Sequence, residues 1–418
     1  MAYNFYFDEI FHDPKITITD SRVNIFRDSS KDLFNDSYIG LFWGEKASEC
    51  ERNRECIESF EQKYRELYTI EPNKELKSQV IGKDKLKWGL RSLDKNAYSY
   101  FDDLFKLLEQ ISPLIQVNAV SKCELLIRNI FDLEQIRKLG GNPNAFIYSL
   151  TKFIITYKNG ELEHAFYKAT EGDVIGLKST LIRFVEHLIV YIKENSIKRK
   201  FKEFNTLQEL DFLLKEYSFV DDSISKEYSF VYKENFKGLK DYLCEKKIAD
   251  RKVNIFIDDY KPLVDAANCY SFRKARALVS TASPHIRFAD YLCGFYGKMI
   301  WALTNDNSFY EKYDKIENID VDELSKKHLL SAEWFEIDKK TYDLYLKAYQ
   351  QLIQKQEAYW AARTWAYSDQ VVMFYSLLRY FASYGSYEKY KAVSSNMHNE
   401  YYNTSCCMEL EKYYKNAF

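Results

Sequence analysis

The sequence predicts an α/β protein, and three of its features carry this prediction. Short runs in which apolar and polar residues alternate begin near residues 3 and 253, as strands do. Between and after these runs, apolar residues recur at helical spacing. The chain has only 13 Gly and 6 Pro among its 418 residues, so turn-forming residues are few and helices should dominate.

The first 120 residues are predicted to form strands and then helices. Tyr3, Phe5 and Phe7 lie on one side of the first strand. Lys15–Thr19 is rich in β-branched residues and the run SYIGLFWG at 37–44 is apolar, so three strands in succession predict an antiparallel meander. The periodicity that follows predicts helices over 47–69 and 94–111, an extended segment over 72–82 and a buried strand over 113–120.

The rest of the chain is predicted to be mainly helical, with two further strands. Residues 142–250 have helical spacing, strands are expected over 251–260 and 276–283, and Pro284 is a favourable first residue for a helix over 284–303. We therefore divide the chain into two halves of one α/β core at 1–141 and 251–330, a mainly helical insertion at 142–250, and a C-terminal helical domain at 331–418.

The composition argues against several classes of protein. A formal net charge of −2 gives no overall attraction for a polyanion, so any nucleic-acid contact would need local basic patches. The aromatic content of 17% predicts an aromatic-filled helical core rather than base-stacking surfaces. The eight cysteines form no C-x-x-C pair, and we expect reduced cytosolic thiols that are neither disulfides nor zinc ligands. We expect a cytoplasmic protein, because no secretory signal and no apolar run of about 18 residues is present.

Acidic residues stand where two predicted strands end and where a helix begins. Asp8 and Glu9 end the first strand, Asp258 and Asp259 end a later one, and Asp290 lies among apolar residues in the first turns of a helix. Taken singly, each fits a solvent-facing acid. Because strand ends of one sheet converge, the carboxylates together would repel each other unless a cation neutralised them. Oxygen ligands favour Mg²⁺ or Mn²⁺, and such a site suits phosphodiester hydrolysis.

Four segments carry a resemblance to a known family. They are FDEI at 7–10, ELKS at 75–78, FIDD at 256–259 and STASPHIRFADYLCG at 280–294. The sequence resembles the RNase H-like "domain of unknown function 3800" family, whose members open on a strand reading Asp-Glu-Ser. Members also carry a Glu-Leu-Lys segment, a later strand that ends in Asp, and a helix with an Ala-Asp-x-x-x-Gly pattern. Ala289, Asp290 and Gly294 match that last pattern.

The resemblance implies a fold and a site. The fold would be an RNase H-like mixed sheet with a helical insertion and a helical C-terminal domain. The metal-binding carboxylates would be Asp8, Glu75, Asp258 and Asp290, assisted by Glu9 and Lys77. The chain departs from the family pattern at two positions. Ile10 stands where the family usually has Ser, and Arg287 or Phe288 stands where Gln is common.

Other charged residues near these acids are weaker candidates. His12 and His285 each lie within five residues of a proposed acid, where a histidine can position water, although a plain polar loop histidine is the favoured interpretation for each. Basic runs occur at 197–202 and 271–277, and in the second run Arg273, Lys274 and Arg276 are the predicted nucleic-acid contacts. No Gly-rich phosphate loop or kinase signature is present.

These observations predict a Mg²⁺- or Mn²⁺-dependent nuclease that acts on RNA or DNA, with bacterial or phage defence as the role that the resemblance suggests. The main alternative is a non-catalytic interaction module, in which the acidic site is vestigial and the aromatic C-terminal helices bind a protein partner or a second copy. Ile10 favours that alternative. A third reading is a nucleic-acid binder that does not cleave.

Overall fold

The computed structural model describes residues 1–11, 18–19, 22–23, 25, 37–71, 74–194, 201–218, 230–304, 306, 330–356, 360–362, 364 and 368–417. Three features predicted from sequence lie wholly or partly outside these residues: His12, positions 15–17 of the expected second strand, and most of the basic run at 197–202.

A mixed β-sheet forms the centre of the described structure, which confirms the predicted α/β class. The strands of the chain are β1 Tyr3–Phe11, β2 Ile18–Thr19, β3 Arg22–Val23, β4 Ser37–Lys46, β5 Leu114–Ser121, β6 Val253–Asp258, β7 Lys274–Leu278 and β8 Trp360–Ala362. Among the described residues, six of them form one sheet in the order β7-β6-β1-β4-β5-β8. The β1–β4 and β4–β5 pairs are antiparallel, whereas β1–β6, β6–β7 and β5–β8 are parallel.

The sheet contains an antiparallel meander, but the prediction of its second strand was wrong. Ile18–Thr19 pairs with Arg22–Val23 in a separate two-stranded sheet and not with β1. The meander consists instead of β1, β4 and β5. The physical reason is that both edges of β1 are taken: β4 pairs with all nine of its residues on one side, and β6 pairs with it on the other.

Helices cover both faces of the sheet. The α-helices are α1 Cys50–Leu67, α2 Lys95–Ile111, α3 Lys122–Ile130, α4 Leu133–Lys138, α5 Pro143–Tyr157, α6 Gly160–Thr170, α7 Val174–Glu194, α8 Phe201–Glu216, α9 Phe230–Glu245, α10 Lys261–Asn268, α11 Pro284–Thr304, α12 Lys339–Tyr349, α13 Ser368–Ser383, α14 Tyr387–Lys391 and α15 Ser395–Ala417. Short 3₁₀ turns include Ser78–Val80 and Ser280–Ala282, and a π-helical segment spans Gln350–Gln354. None of the helices in the described ranges is long and apolar enough to cross a membrane.

The alternation of side chains along β1 divides the core into two layers. Phe5 and Phe7 pack with α9 and α10 on one face, whereas Tyr6 faces α11 on the other. Helix α11 lies against β1 at close range, and Gly297 makes this approach possible. A Cβ atom at Gly297 would lie 2.4 Å from Cγ2 of Ile10, too close for any larger residue without movement.

The two helical regions differ in how they join the core. The helices from α3 to α8 pack mainly into a hydrophobic cluster of their own. The C-terminal helices α12, α13 and α15 share one cluster with α2, α11 and the sheet. The domain boundary near residue 331 stays a prediction, but the hydrophobic packing continues across it.

A carboxylate cluster between the sheet and α11

Asp8 and Asp258 are neighbours in the sheet. The expectation that Asp8 and Glu9 end the first strand is wrong, because pairing with β4 extends β1 to Phe11, whereas Asp258 does end β6. Strands β1 and β6 run parallel, and the last pair in their register joins Phe7 to Ile257. Asp8 and Asp258 are the next residues of the two strands. Because side chains alternate, Asp8 lies on the same face as Tyr6, and Asp258 on the same face as Phe256. This is the face that α11 covers.

Asp290 reaches this face from the second turn of α11. Its two carboxylate oxygens accept hydrogen bonds from Ser78, one from the backbone N–H at 2.7 Å and one from the hydroxyl at 2.8 Å. Ser78 is buried. The 3₁₀ turn that begins at Ser78 therefore fixes the orientation of Asp290 across a gap of 212 residues in the chain.

Asp8 and Asp290 destabilise each other's charge. Burial, the negative charge of Asp290 and that of Glu9 raise the pKa of Asp8 well above its usual range. Burial also raises the pKa of Asp290, and the hydrogen bonds from Ser78 offset only part of this effect. Two poorly hydrated carboxyl groups therefore lie close together, an arrangement that a cation would stabilise.

Two lysines supply positive charge beside these acids. Lys77 forms an ion pair with Glu75 at 2.6 Å. Burial acts to lower the pKa of Lys77, but the negative charges of Glu75, Asp290 and Asp8 outweigh this effect and raise it. Lys298, which is buried on α11, donates a hydrogen bond to the carbonyl oxygen of Ser78. Burial lowers the pKa of Lys298 to about 8.

Sequence reasoning missed Lys298 and Ser78. A signal for Lys298 was present, because Asp290, Gly294 and Lys298 are spaced four residues apart and so lie along one face of a helix. Gly294 lies against Ser78, and a Cβ atom there would be 2.3 Å from that of Ser78. For Ser78 no comparable signal existed, since its partner is distant in the chain.

Glu75 lies at the border of the cluster. Burial acts to raise the pKa of Glu75. The hydrogen bonds from Lys77 and from the Ser280 hydroxyl outweigh this effect and hold that pKa below its usual range. Oε1 of Glu75 is buried and has no hydrogen-bond partner among the described residues. The backbone N–H of Ser280 donates to Oδ1 of Asp258 at 3.2 Å, so Ser280 connects Glu75 to the strand end.

Glu9 and Ile10 contribute in other ways. Side-chain alternation places Glu9 on the face of β1 opposite to Asp8. Its backbone N–H donates to Oδ1 of Asp8 at 2.8 Å, which helps to orient that carboxylate. Ile10 lies on the same face as Asp8, but it packs against Gly297 of α11. An apolar contact therefore stands where the family pattern has a small polar residue.

The predicted nucleic-acid contacts do not all lie near the acids. The register pairs Asn254 with Lys274 and Asp258 with Leu278, so Lys274 lies about 13 Å from the strand end that carries Asp258. Arg273 precedes Lys274 and lies farther still. Arg273 and Lys274 therefore lie away from the strand end that carries Asp258, and their contact with nucleic acid stays a prediction. Arg276, whose guanidinium lies 4.9 Å from the centroid of the Phe256 ring, is on the correct face and nearer the acids.

His285 does not join the carboxylates. It is buried, and its Nε2 atom lies 3.5 Å from Sγ of Cys50 and 3.5 Å from Oε1 of Glu45. His285 therefore belongs to a different group of side chains.

No family model, no curated protein and no solved structure matches the chain.

Proposed function

We propose that this chain is a metal-dependent phosphodiester hydrolase, a nuclease built on an RNase H-like core. One observation carries the proposal: Asp8 of β1 and Asp290 of α11 lie together on one face of the sheet, where each is partly buried and repulsion from Asp290 helps to raise the pKa of Asp8. Such a pair costs free energy in the absence of a cation, and functional sites are where such costs are usually found.

The order of the strands supports the RNase H-like part of the proposal. An RNase H-like core joins a three-stranded antiparallel meander to two further strands, which extend the sheet in parallel from the first strand of the meander. The meander β1-β4-β5 and the parallel strands β6 and β7 follow this order. Asp258 is the last residue of β6, and Asp8 lies beside it on β1, three residues before that strand ends at Phe11.

The residues present fit a hard divalent cation. Asp8, Asp258 and Asp290 would hold Mg²⁺ or Mn²⁺, and Glu75 would add its buried Oε1, which has no partner among the described residues. When bound, the metal supplies an activated water and stabilises charge on the phosphodiester oxygens.

The protein's own groups prepare this site. Ser78 holds both oxygens of Asp290 in place, and the backbone N–H of Glu9 does the same for one oxygen of Asp8. Lys77 brings a cation that can neutralise substrate charge. Lys298 adds positive charge without covering the carboxylates, because its ammonium group donates to the carbonyl oxygen of Ser78.

The test is hydrolysis by the full-length chain of labelled single-stranded and duplex DNA and RNA, with Mn²⁺ or Mg²⁺. We expect cleavage of at least one substrate, and a loss of about 100-fold or more in Asp8→Asn and in Asp290→Asn. Asp259→Asn is the matched control, since Asp259 is an exposed neighbour of Asp258. Absence of cleavage with either metal, or an unchanged rate in Asp8→Asn, would contradict the proposal.

A second candidate function is a non-catalytic interaction module, and the contact of Ile10 with Gly297 favours it. In that case Lys77 and Lys298 would be the permanent counter-charges of a vestigial site. Metal titration separates the two candidates. A nuclease site predicts that Mn²⁺ raises Tm in the wild-type chain and not in the Asp8→Asn, Asp290→Asn double variant, whereas the module predicts no difference between them.

A further inference from the structure

A second group of chemically reactive side chains lies between β1 and the start of α11. Its members are Glu45 near the end of β4, Cys50 at the first position of α1, His285 at the second position of α11, and Tyr6 of β1. Glu45 and His285 are buried, with 4% and 6% of their surface exposed, and Cys50 is half-buried. Four separate elements therefore converge on one place.

The distances within this group match those between the ligands of one metal ion. One ligand atom from each of Glu45, Cys50 and His285 lies within 4.8 Å of the other two. Nε2 of His285 is 3.5 Å from Sγ of Cys50 and 3.5 Å from Oε1 of Glu45. Ligands held at bond lengths of 2.0–2.3 Å around a tetrahedral ion are separated by roughly 3.3–3.8 Å. The two distances of 3.5 Å fall inside this interval.

The Tyr6 hydroxyl group marks the fourth corner. Its oxygen lies 3.7 Å from Sγ of Cys50 and donates a hydrogen bond to Oε1 of Glu45 at 2.9 Å. Stacking fixes the ring, since the Tyr6 centroid lies 4.8 Å from those of Trp43 and His285. The aromatic packing therefore holds the Tyr6 oxygen beside two of the three grouped ligand atoms.

The charge of the group is also appropriate. Within the described residues, Glu45 has no Lys or Arg partner, although a buried carboxylate normally needs a compensating charge. Asn53, which is fully buried, donates to Oε2 of Glu45 at 2.7 Å. This bond orients the carboxylate and leaves Oε1 facing Cys50 and His285, as outer hydrogen bonds do for metal ligands.

We propose that Glu45, Cys50 and His285 bind one zinc ion, with the Tyr6 hydroxyl group at the fourth position. The thiolate, imidazole and carboxylate donors are the set that zinc accepts, and they differ from the all-oxygen set of the carboxylate cluster. The thiol of Cys50 releases its proton to solvent on binding, so one thiolate and one carboxylate balance the two positive charges. In the absence of the ion, Nε2 of His285 faces the carbonyl oxygen of Cys50 at 3.2 Å. On metal binding the imidazole changes tautomer, so that Nε2 loses its hydrogen and Nδ1 gains one.

The site connects β1, β4, α1 and α11, so its effect is to fasten the start of α11 to the sheet. The half-buried Cys50 provides the path by which the ion enters. This proposal stands apart from the proposed nuclease activity, because none of the four residues belongs to the carboxylate cluster.

The test uses the full-length chain, stripped of metal by a chelator and titrated with Co²⁺ as a spectroscopic probe and then with Zn²⁺. We expect one equivalent of Co²⁺ to bind and to give a thiolate-to-cobalt charge-transfer absorption, which Zn²⁺ abolishes by displacement. Cys50→Ser removes this absorption. Cys56→Ser keeps it, and is the matched control because Cys56 is also half-buried on α1.

A second measurement covers the case in which Cys50→Ser does not fold. In the wild-type chain, zinc should slow alkylation of Cys50 by about 10-fold or more, mapped by mass spectrometry, and leave the rate at Cys56 unchanged. Asp8→Asn and Asp290→Asn should retain the cobalt absorption, so that failure of the nuclease proposal leaves this one standing. The proposal is overturned if the folded wild-type chain shows no charge-transfer absorption, if Cys50→Ser retains it, or if zinc fails to protect Cys50.

Discussion

The carboxylate cluster and the Glu45–Cys50–His285 group lie on the same face of the sheet, between β1 and α11, yet they differ in their donor atoms and in the charges that surround them. The first is formed by carboxylate oxygens, with Lys77 and Lys298 close by. The second mixes sulphur, nitrogen and oxygen in a place almost closed to solvent. The comparison teaches that one helix packed on one strand can present two donor sets, each suited to a different class of metal ion.

The largest expected effect tests whether the two groups act independently. Asp290→Asn should lower Mn²⁺-dependent hydrolysis by about 100-fold, since at nearly unchanged size it removes the charge and one of the two oxygens that accept hydrogen bonds from Ser78. Cys50→Ser should change the same rate by less than about threefold. Steady-state cleavage rates of both variants, measured beside wild type, check this. Equal losses in the two variants would mean that the groups form one site.

The next prediction concerns stability in the absence of metal, where the two groups should respond in opposite directions. Glu45→Ala leaves Tyr6 and Asn53 without their acceptor and should cost about 2 kcal/mol. Asp8→Asn should instead raise Tm, by roughly 1–3 °C, because it removes a charge that its neighbours oppose. Thermal unfolding after chelation measures both. A fall in Tm for Asp8→Asn would contradict the raised pKa of Asp8.

A third prediction uses Lys298, whose pKa burial lowers from 10.5 to about 8. Between these two values the unfolded chain holds a proton on this lysine that the folded chain has lost. This group's contribution to stability is therefore lowest below pH 8 and rises with pH, by about 1 kcal/mol per pH unit. In Lys298→Met the rise should be absent. Denaturant unfolding at pH 7.5, 8.5 and 9.5 gives the free energy of unfolding of wild type and variant. If the two free energies change in parallel with pH, the lowered pKa of Lys298 is refuted.

The smallest expected effect concerns the basic run at 271–277, which should contribute to nucleic-acid binding beside the carboxylate cluster and not to metal binding at Glu45, Cys50 and His285. Arg276→Ala is expected to weaken binding of single-stranded DNA by a few-fold and to reduce its salt dependence, because Arg276 lies on the same face as the acids. Arg273→Ala, at the far end of the strand, should change affinity by less than about twofold. Fluorescence anisotropy over a range of salt concentrations compares them. A larger effect at Arg273 would place the nucleic acid elsewhere.

The sequence predicted the location of a residue well where the periodicity of a strand or helix determines which face of that element the residue lies on. Alternation and helical spacing placed Asp8, Asp258 and Asp290 on the correct elements, although β1 continues past Asp8 to Phe11, and the parallel register makes Asp8 and Asp258 neighbours. For Arg273 and Lys274, nearness in sequence to Asp290 does not bring nearness to Asp258 in space, and their contact with nucleic acid stays a prediction.

The Glu45–Cys50–His285 group shows what sequence patterns cannot supply. Cys50 and His285 are 235 residues apart, and no short spacing connects them. The cysteines were therefore expected to be plain thiols. No disulfide forms among the described residues, which agrees with part of that expectation. The other part of the expectation was that no cysteine binds a metal, and the cobalt titration tests this for Cys50.

The parallel pairing of β1 with β6 has a consequence for synthesis of the protein. Asn4 and Asn254 are hydrogen-bonded partners although 250 residues separate them. At a ribosomal rate of about 5–20 residues per second, the first strand emerges tens of seconds before its partner does. Through that interval the hydrophobic helices α3 to α8 can assemble among themselves, while one edge of β1 stays open to wrong pairings. A nascent chain released before α11 is translated would lack Asp290 and Lys298, so the carboxylate cluster is complete only in molecules whose synthesis has passed α11.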